Sequence, residues 1–287
     1  MKTLLFVALG LFAALHVVNL ARYVWVASGA SDIRPGWLQL AIGFVTNFFD
    51  ALGIGNFAPT ASAYRLLKLV PDEGIPGTMN VGHTLPVIVM AFLFITLVEV
   101  EPITLLSMIA ASILGAWLGA GVVSGLPRRG VQLGMGGALL AAALLLTMGQ
   151  LQAFPVGGTA LGLHGVSLVI GVGVALVLGA LMTIGVGFYA PCMIAISLLG
   201  MEPKASFPIM MGACAFLMPV ASARFLRGGR LNLRAALGLT LGGVPAVFLA
   251  VWIVKSLPLE AIRWLVVGIA VYTAVTMLRP PKTRRQP

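Results

Sequence analysis

The stretch Gly53-Ile54-Gly55-Asn56-Phe57-Ala58-Pro59 returns later as Gly185-Val186-Gly187-Phe188-Tyr189-Ala190-Pro191, and each copy interrupts a long apolar run. A Gly-x-Gly pair releases the backbone from helical dihedrals. A proline four residues on suits the first turn of a new helix, where its missing N–H costs nothing. Each copy therefore reads as a helix stop followed by a fresh helix N-terminus. Gly53 and Gly185, Pro59 and Pro191, Pro71 and Pro203, and Pro76 and Pro208 all lie 132 positions apart, and nine of the 24 positions from 53 to 76 are identical to their partners. Leu126-Pro127 and Leu257-Pro258 continue the match at an offset of 131, so a single deletion keeps the halves aligned almost to the end. Two copies of one break imply duplication of one fold unit.

The composition says what surrounds that unit. Apolar residues fill 60% of the 287 positions, charged residues 9%, and the mean hydropathy is +1.05, which excludes an ordinary soluble domain. At ~20 residues per membrane span there is room for roughly ten helical segments. Strand-period alternation is absent, so a barrel is not expected. The formal charge of +10 does not point to nucleic acid, because Lys and Arg sit in short loops and at the C-terminus, where they set membrane orientation. Cys192 and Cys214 lie in apolar segments without CxxC or Cys/His spacing, and the thirteen methionines show no repeated ligand spacing. No disulfide framework, metal site or cofactor is expected.

Taken in order, residues 1–30 hold an N-terminal transmembrane helix over Leu4–Val26, retained rather than cleaved. Residues 35–150 form the first repeat, 160–279 the second, and 280–287 a basic cytoplasmic tail. In the first repeat, a helix over Gly36–Leu52 ends on Asn47 and Asp50. After the break, Ala58–Leu69 reaches ~18 Å, half a bilayer. Pro71 to Pro76 form a turn, Gly77–Leu97 carries Asn80, His83 and Thr84, and Thr104–Val123 and Val131–Met148 are spans. An uncharged linker, Gln150–Thr159, divides the halves. The second repeat runs Leu161–Ile184, Ala190–Leu199, a Met201–Lys204 turn, Phe207–Ala223, Ala235–Val254 and Ala261–Leu278. The Gly-rich stretches Leu114–Gly121 and Leu133–Ala138 read as helix-packing surfaces.

Basic loops mark the cytoplasmic side. Arg65 and Lys68, Arg128-Arg129, the Arg224–Arg234 loop and the tail then lie inside, and Glu99 and Glu101 outside. Equivalent loops face opposite sides, Pro71 inside against Pro203 outside. The expected fold is an all-α polytopic membrane protein of two inverted repeats, each a broken, re-entrant helical hairpin plus three transmembrane helices, preceded by one N-terminal helix. A bacterial inner membrane with the C-terminus in the cytoplasm is the expected setting.

One broken helix in each inverted half is the plan of many secondary transporters, which bind substrate at mid-membrane. Free N–H groups and the positive dipole end at the starts of the Ala58 and Ala190 half-helices suit an anion without a buried cation. Candidate substrate-binding residues are Gly53, Gly55, Asn56, Phe57, Ala58 and Thr60 in the first break, and Gly185, Gly187, Phe188, Tyr189 and Ala190 in the second. Asn56, Thr60 and Tyr189 add side-chain donors. The bland reading is that each Gly-x-Gly…Pro is only a kink for close packing.

Asp50 lies three residues before Gly53, and its repeat partner is the apolar Met182. It reads either as a site for a coupling ion or as a local cap of the broken helix. His83, aligned with Ala215, is a proton relay or a buried hydrogen-bonding group. Asn80 shares its helix face. Asp50, Asn80 and His83 are thus the coupling candidates, and His16 and His164 have no assigned partner. No Ser/His/Asp grouping, HExxH or Walker pattern occurs, so an enzyme is not expected.

At the two breaks the chain resembles the TauE/SafE family of sulfite-exporter-like permeases, whose halves each carry a GxGG-type segment followed by Pro. The matching residues are Gly53, Gly55 and Pro59, then Gly185, Gly187 and Pro191, and the resemblance spans about Pro35 to Leu278. It departs at Asn56-Phe57 and Phe188-Tyr189, where the family commonly has more Gly. The resemblance implies a permease that moves a small sulfur-containing anion, such as sulfite, a sulfonate or thiosulfate, by alternating access. H+ or Na+ would be the coupling ion and membrane lipid the surrounding partner. The alternatives are a proton-coupled permease for a metal cation or uncharged solute, with Asp50 as ligand, and a non-transporting membrane scaffold.

Overall fold

Lipid offers backbone N–H and C=O groups no partners, so long apolar runs satisfy them internally as helices. The computed structural model, which describes residues 2–27, 33–51, 55–95, 99–153, 157–202, 205–253 and 259–279, is built this way throughout. Its helices are α1 (Lys2–Ala27), α2 (Trp37–Ala51), α3 (Phe57–Leu66), α4 (Ile75–Gly82), α5 (Thr84–Phe94), α6 (Pro102–Val123), α7 (Arg128–Gln150), α8 (Gly165–Met182), α9 (Tyr189–Leu198), α10 (Ser206–Gly228), α11 (Leu233–Ile253) and α12 (Leu259–Leu278). Among the described residues the only extended pairing is an isolated bridge between Ala160 and Met201. Among the described residues seven segments are long and apolar enough to cross a bilayer, which makes this a multi-span helical membrane protein.

Burial sorts the centre from the rim. The Asp72–Leu93 segment, which holds α4 and most of α5, and α10 are each 83% buried, whereas the apolar stretch of α1 is 22% buried. The first two pack on each other at the middle of the bundle. Helix α1 lies outside them, with Leu5, Leu9, His16 and Leu20 turned inward as one stripe and Leu4, Val7, Leu11, Leu15 and Val18 left for lipid. Around the centre, α2 packs on α11, α6 on α8 and α7 on α12. The short α3 rests on α12, α2 and α4, and the short α9 on α7, α8 and α10.

Two of these seams bring backbones into contact. A methyl group on Gly43 or Gly242 would fall on the carbonyls of Gly238 or Leu40, across α2 and α11. One on Gly115 or Gly179 would fall on the carbonyls of Leu176 or Ser112, across α6 and α8. Small residues let membrane helices gain dispersion contacts that lipid does not otherwise favour. The Gly-rich stretches of α6 and α7 are therefore packing surfaces, with Gly134 and Gly136 against Ile184 and Leu278.

Three local expectations change. The helix expected over Gly77–Leu97 starts earlier, at Ile75 with Pro76 in its first turn, and divides at His83 into α4 and α5; Leu97 lies outside the described residues. Pro86 has no N–H to offer the carbonyl of Gly82, and the Thr240 hydroxyl of α11 donates to that carbonyl instead, at 2.8 Å. The half-helix α3 stops at Leu66 rather than Leu69, and Lys68 turns left-handed with φ 52°.

The segment from Pro71 is more than a turn. It contains a short 3-10 turn, Asp72–Gly74, and the Asp72 carboxylate is buried under Arg65, Arg128 (3.4 Å) and Gln132 (2.7 Å). Arg129 next to them donates to the C-terminal carbonyls of α12 at Met277 (2.9 Å) and Leu278 (2.8 Å). His164, without a partner in the sequence reading, lies 3.7 Å from the Glu101 carboxylate.

Candidate functional site

Each break sets a short helix after a left-handed glycine, but the turning glycines are not equivalent positions of the repeat: Gly187, the counterpart of Gly55, has no positive φ. Helix α2 ends at Ala51, Gly55 turns left-handed at φ 90°, and α3 begins at Phe57; helix α8 ends at Met182, Gly185 turns at φ 118°, and α9 begins at Tyr189. Each short helix has 10 residues, ~15 Å, about half a bilayer. Neither N-cap residue, Asn56 or Phe188, caps its helix with a side-chain hydrogen bond. Pro59 and Pro191 carry no N–H, and the first helical bonds are Thr60 N–H to Asn56 O (3.1 Å) and Cys192 N–H to Phe188 O (3.2 Å). The N–H groups of Phe57, Ala58, Tyr189 and Ala190 precede both ladders, as helix N-termini require.

Both breaks open onto one cavity of about 90 Å³. Gly55, Asn56, Phe57 and Ala58 line it from one side, and Val186, Gly187, Phe188 and Tyr189 from the other. Asp50 of α2 and its repeat partner Met182 of α8 both reach it, as does Cys214 of α10, while α7 adds an apolar wall at Ala142, Leu145 and Leu146. Asp50 is the one charged residue among these. The Tyr189 hydroxyl is buried and has no partner among the described residues.

Thr60 and Gly185, expected at the site, do not line the cavity: the Thr60 hydroxyl turns to His83, and Gly185 faces the methyl ends of Met79 and Met135. Gly53 lies outside the described residues, and of Ala190 only the backbone is described.

Behind Asp50 runs a buried polar chain. Asn56 Nδ2 donates to Asp50 Oδ2 (2.9 Å) and to Asn47 Oδ1 (3.2 Å), and the Asn56 backbone N–H also faces the carboxylate. Asn47 Nδ2 donates to Gly43 O (2.8 Å), which fixes its amide orientation and leaves Oδ1 as an acceptor. His83 Nδ1, 3.0 Å from that Oδ1, therefore carries the ring hydrogen, and Nε2 accepts from the Thr60 hydroxyl at 3.0 Å. The Phe57 ring packs against the imidazole with centroids 5.9 Å apart. A methyl on Gly243 of α11 would strike the Asn47 amide, so that glycine makes room for the hub of the chain.

Asp50 bonds locally to the start of α3, as the capping alternative expects, and it also borders the cavity. Asn80 does not join it. Its Nδ2 donates to Pro76 O (2.9 Å) and reaches across to Thr183 O at the end of α8 (3.3 Å), and its Oδ1 has no partner among the described residues. Asn47 is the residue the sequence reading passed over, although its i, i+3 spacing to Asp50 places both on one face of α2. Met182 was marked by the duplication itself, and its Sδ lies 3.7 Å from the Cys214 thiol.

The arrangement offers a small solute neutral donors from two helix starts and a phenol, one carboxylate, and apolar walls. No protein-family model, curated protein or solved structure matches the chain, so the chemistry of the site stands on these residues alone.

Proposed function

We propose that the protein is a secondary transporter of a small anion, sulfur-containing as the likeness to TauE/SafE permeases implies, working by alternating access. The observation that carries this reading is that two helix N-termini without side-chain caps, 132 positions apart in the chain, line one cavity. Each presents free N–H groups and the positive end of a helix dipole, which attract negative charge without a cation. Irregular backbone at membrane depth is tolerable only where it lines a cavity or is packed in protein, and Gly55, Asn56, Val186 and Gly187 line the cavity.

Contacts between helices support the inverted-repeat part of the reading. Exchanging each first-half element for its second-half equivalent turns the α2–α11 contact into α8–α6, α3–α12 into α9–α7, and α2–α3 into α8–α9. The α7–α12 contact and the pairing of α4 and α5 with α10 map onto themselves. That is the behaviour of a two-fold operator. A hairpin plus three spans per half, with basic loops on one side, directs its axis into the membrane plane.

Gly187 is the cleanest place to test the site. A Cβ there meets nothing within 4 Å, so leucine extends into the cavity, whereas any substitution at Gly55 adds strain from its φ of 90°. Purified protein in liposomes should take up sulfite, methanesulfonate or thiosulfate, and Gly187→Leu should abolish uptake with the fold intact. Wild-type liposomes that accumulate none of the three, or wild-type rates in Gly187→Leu, would end the proposal.

A second reading, a cation or uncharged solute bound by Asp50, draws on that residue being the one charged side chain lining the cavity among the described residues. Asp50→Asn separates the two. It removes binding under the second reading and spares anion binding under the first.

A further inference from the structure

We propose that the cavity takes up its anion together with one proton, which Asp50 carries, so that the two cross the membrane as a pair. The inference rests on the anion-transport reading above and names its coupling ion.

Asp50 is 3% exposed and has no ion-pair partner among the described residues. The groups that hold it are the side-chain amide and backbone N–H of Asn56, at the very start of α3. An anion bound at that helix start needs the same electrostatic surroundings. Ionised Asp50 is therefore a tethered competitor, repelling the anion and occupying its donors. Protonation removes both obstacles at once. The charge disappears, and the carboxyl changes from a pure acceptor into a group with an O–H to give. With the unpartnered Tyr189 hydroxyl opposite, the anion then meets donors from both sides.

Among the described residues, nothing else near Asp50 can neutralise the pair of charges. Tyr189 and Cys214 border the cavity and are neutral when protonated. His83 is separated from Asp50 by Asn47 and Asn56, with both ring nitrogens engaged. Of the helices packed on α2, α11 contributes Arg234, which lies against Gly36 before the opposite end of α2. Helix α3 contributes Tyr64, bonded to Ala235 O at 3.0 Å, and Arg65, paired with Asp72. A sodium ion would need a shell of oxygens, but Asn56 presents its NH2 to Asp50. In the second half Met182 stands in Asp50's place, so the count is one proton per anion and not two.

The test uses methanesulfonate and thiosulfate, anions of strong acids, so that any proton taken up belongs to the protein. In weakly buffered detergent solution with a pH indicator, at a pH where Asp50 of the free protein is mainly ionised, wild-type protein should absorb one proton per anion bound. Its affinity should fall tenfold per pH unit once Asp50 is mainly ionised, the slope that one linked proton requires. Asp50→Asn should bind with pH-independent affinity and no proton uptake, and Asp50→Glu should restore both effects.

In liposomes a proton gradient should drive methanesulfonate uptake without response to membrane potential. Thiosulfate, with one net negative charge left, should be opposed by a negative interior. Binding without proton uptake by wild-type protein, or a pH slope that survives in Asp50→Asn, overturns the proton inference alone. Failure of wild-type protein to bind methanesulfonate or thiosulfate overturns the proton inference, and failure to bind sulfite as well overturns the anion-transport reading with it.

Discussion

Replacing Asn47 by leucine removes the hub of the polar chain while keeping the branching of the side chain, and because its methyls are bulkier than the amide oxygen and nitrogen, crowding adds to the cost. Its Oδ1 accepts from His83 Nδ1 at 3.0 Å and from Asn56 Nδ2 at 3.2 Å, and the side chain is fully buried. Both donors lose their acceptor where no water replaces it, at a general cost of ~1–3 kcal/mol each. Side-chain hydrogen bonds in membrane proteins measure lower, averaging about 0.6 and reaching about 1.7 kcal/mol.

Relief is also available: the imidazole can move its hydrogen to Nε2 and donate to Thr60, and Asn56 keeps Asp50. The hydrogen-bond share of the destabilisation is ~1.5–3 kcal/mol, weighing both scales, and crowding by the larger side chain adds to it. Reversible unfolding in mixed micelles, titrated with dodecyl sulfate, reads it directly. A double-mutant cycle with His83→Leu should show a coupling of ~1 kcal/mol, because the two residues share one bond. An Asn47→Leu protein as stable as wild type, with energies additive to those of His83→Leu, would refute the assignment of this chain as a built network.

Two further measurements test the packing. Gly115→Ala and Gly179→Ala should each destabilise by ~1–3 kcal/mol, and the double variant by less than their sum, since one separation of α6 from α8 relieves both. Gly137→Ala, whose added methyl meets nothing within 4 Å, is the control and should be neutral or slightly stabilising in the same titration. Thr240→Val leaves the Gly82 carbonyl without its donor and should cost ~1 kcal/mol by thermal unfolding; Thr240→Ser should recover it.

The membrane class and both breaks were legible in the sequence for local reasons. Lipid demands long apolar runs whatever their packing, and glycine with a following proline stops and restarts a helix on its own. The 132-residue offset then marked Met182 as Asp50's counterpart, and both line the cavity. The polar chain was not legible, because it depends on docking between elements. His83 finds Thr60 23 positions away and Asn47 36 positions away, on different helices. Helical spacing put Asn80 on the face of His83, but α4 ends between them, and Asn80 turns to Thr183 instead. Thr60 has the right chemistry for a cavity donor, and its hydroxyl is already engaged by an imidazole that sequence spacing could not bring to it.

The glycine seams also decide which parts of the molecule are stiff. Each joins a helix from one half of the chain to a helix from the other, α2 to α11 and α6 to α8, with carbonyls where side chains would otherwise slide. The short helices follow the same crossing, α3 resting on α12 and α9 on α7. If the protein works by alternating access as proposed, the bodies that would move as units are crossed: α2, α3, α11 and α12 on one side, and α6, α7, α8 and α9 on the other. As in a pair of scissors, each rigid piece passes the pivot, its blade drawn from one half of the sequence and its handle from the other. Under the alternating-access proposal, opening the cavity to either face of the membrane would mean shear along the α7–α12 boundary and along the buried pairing of α4 and α5 with α10, with the glycine seams staying shut.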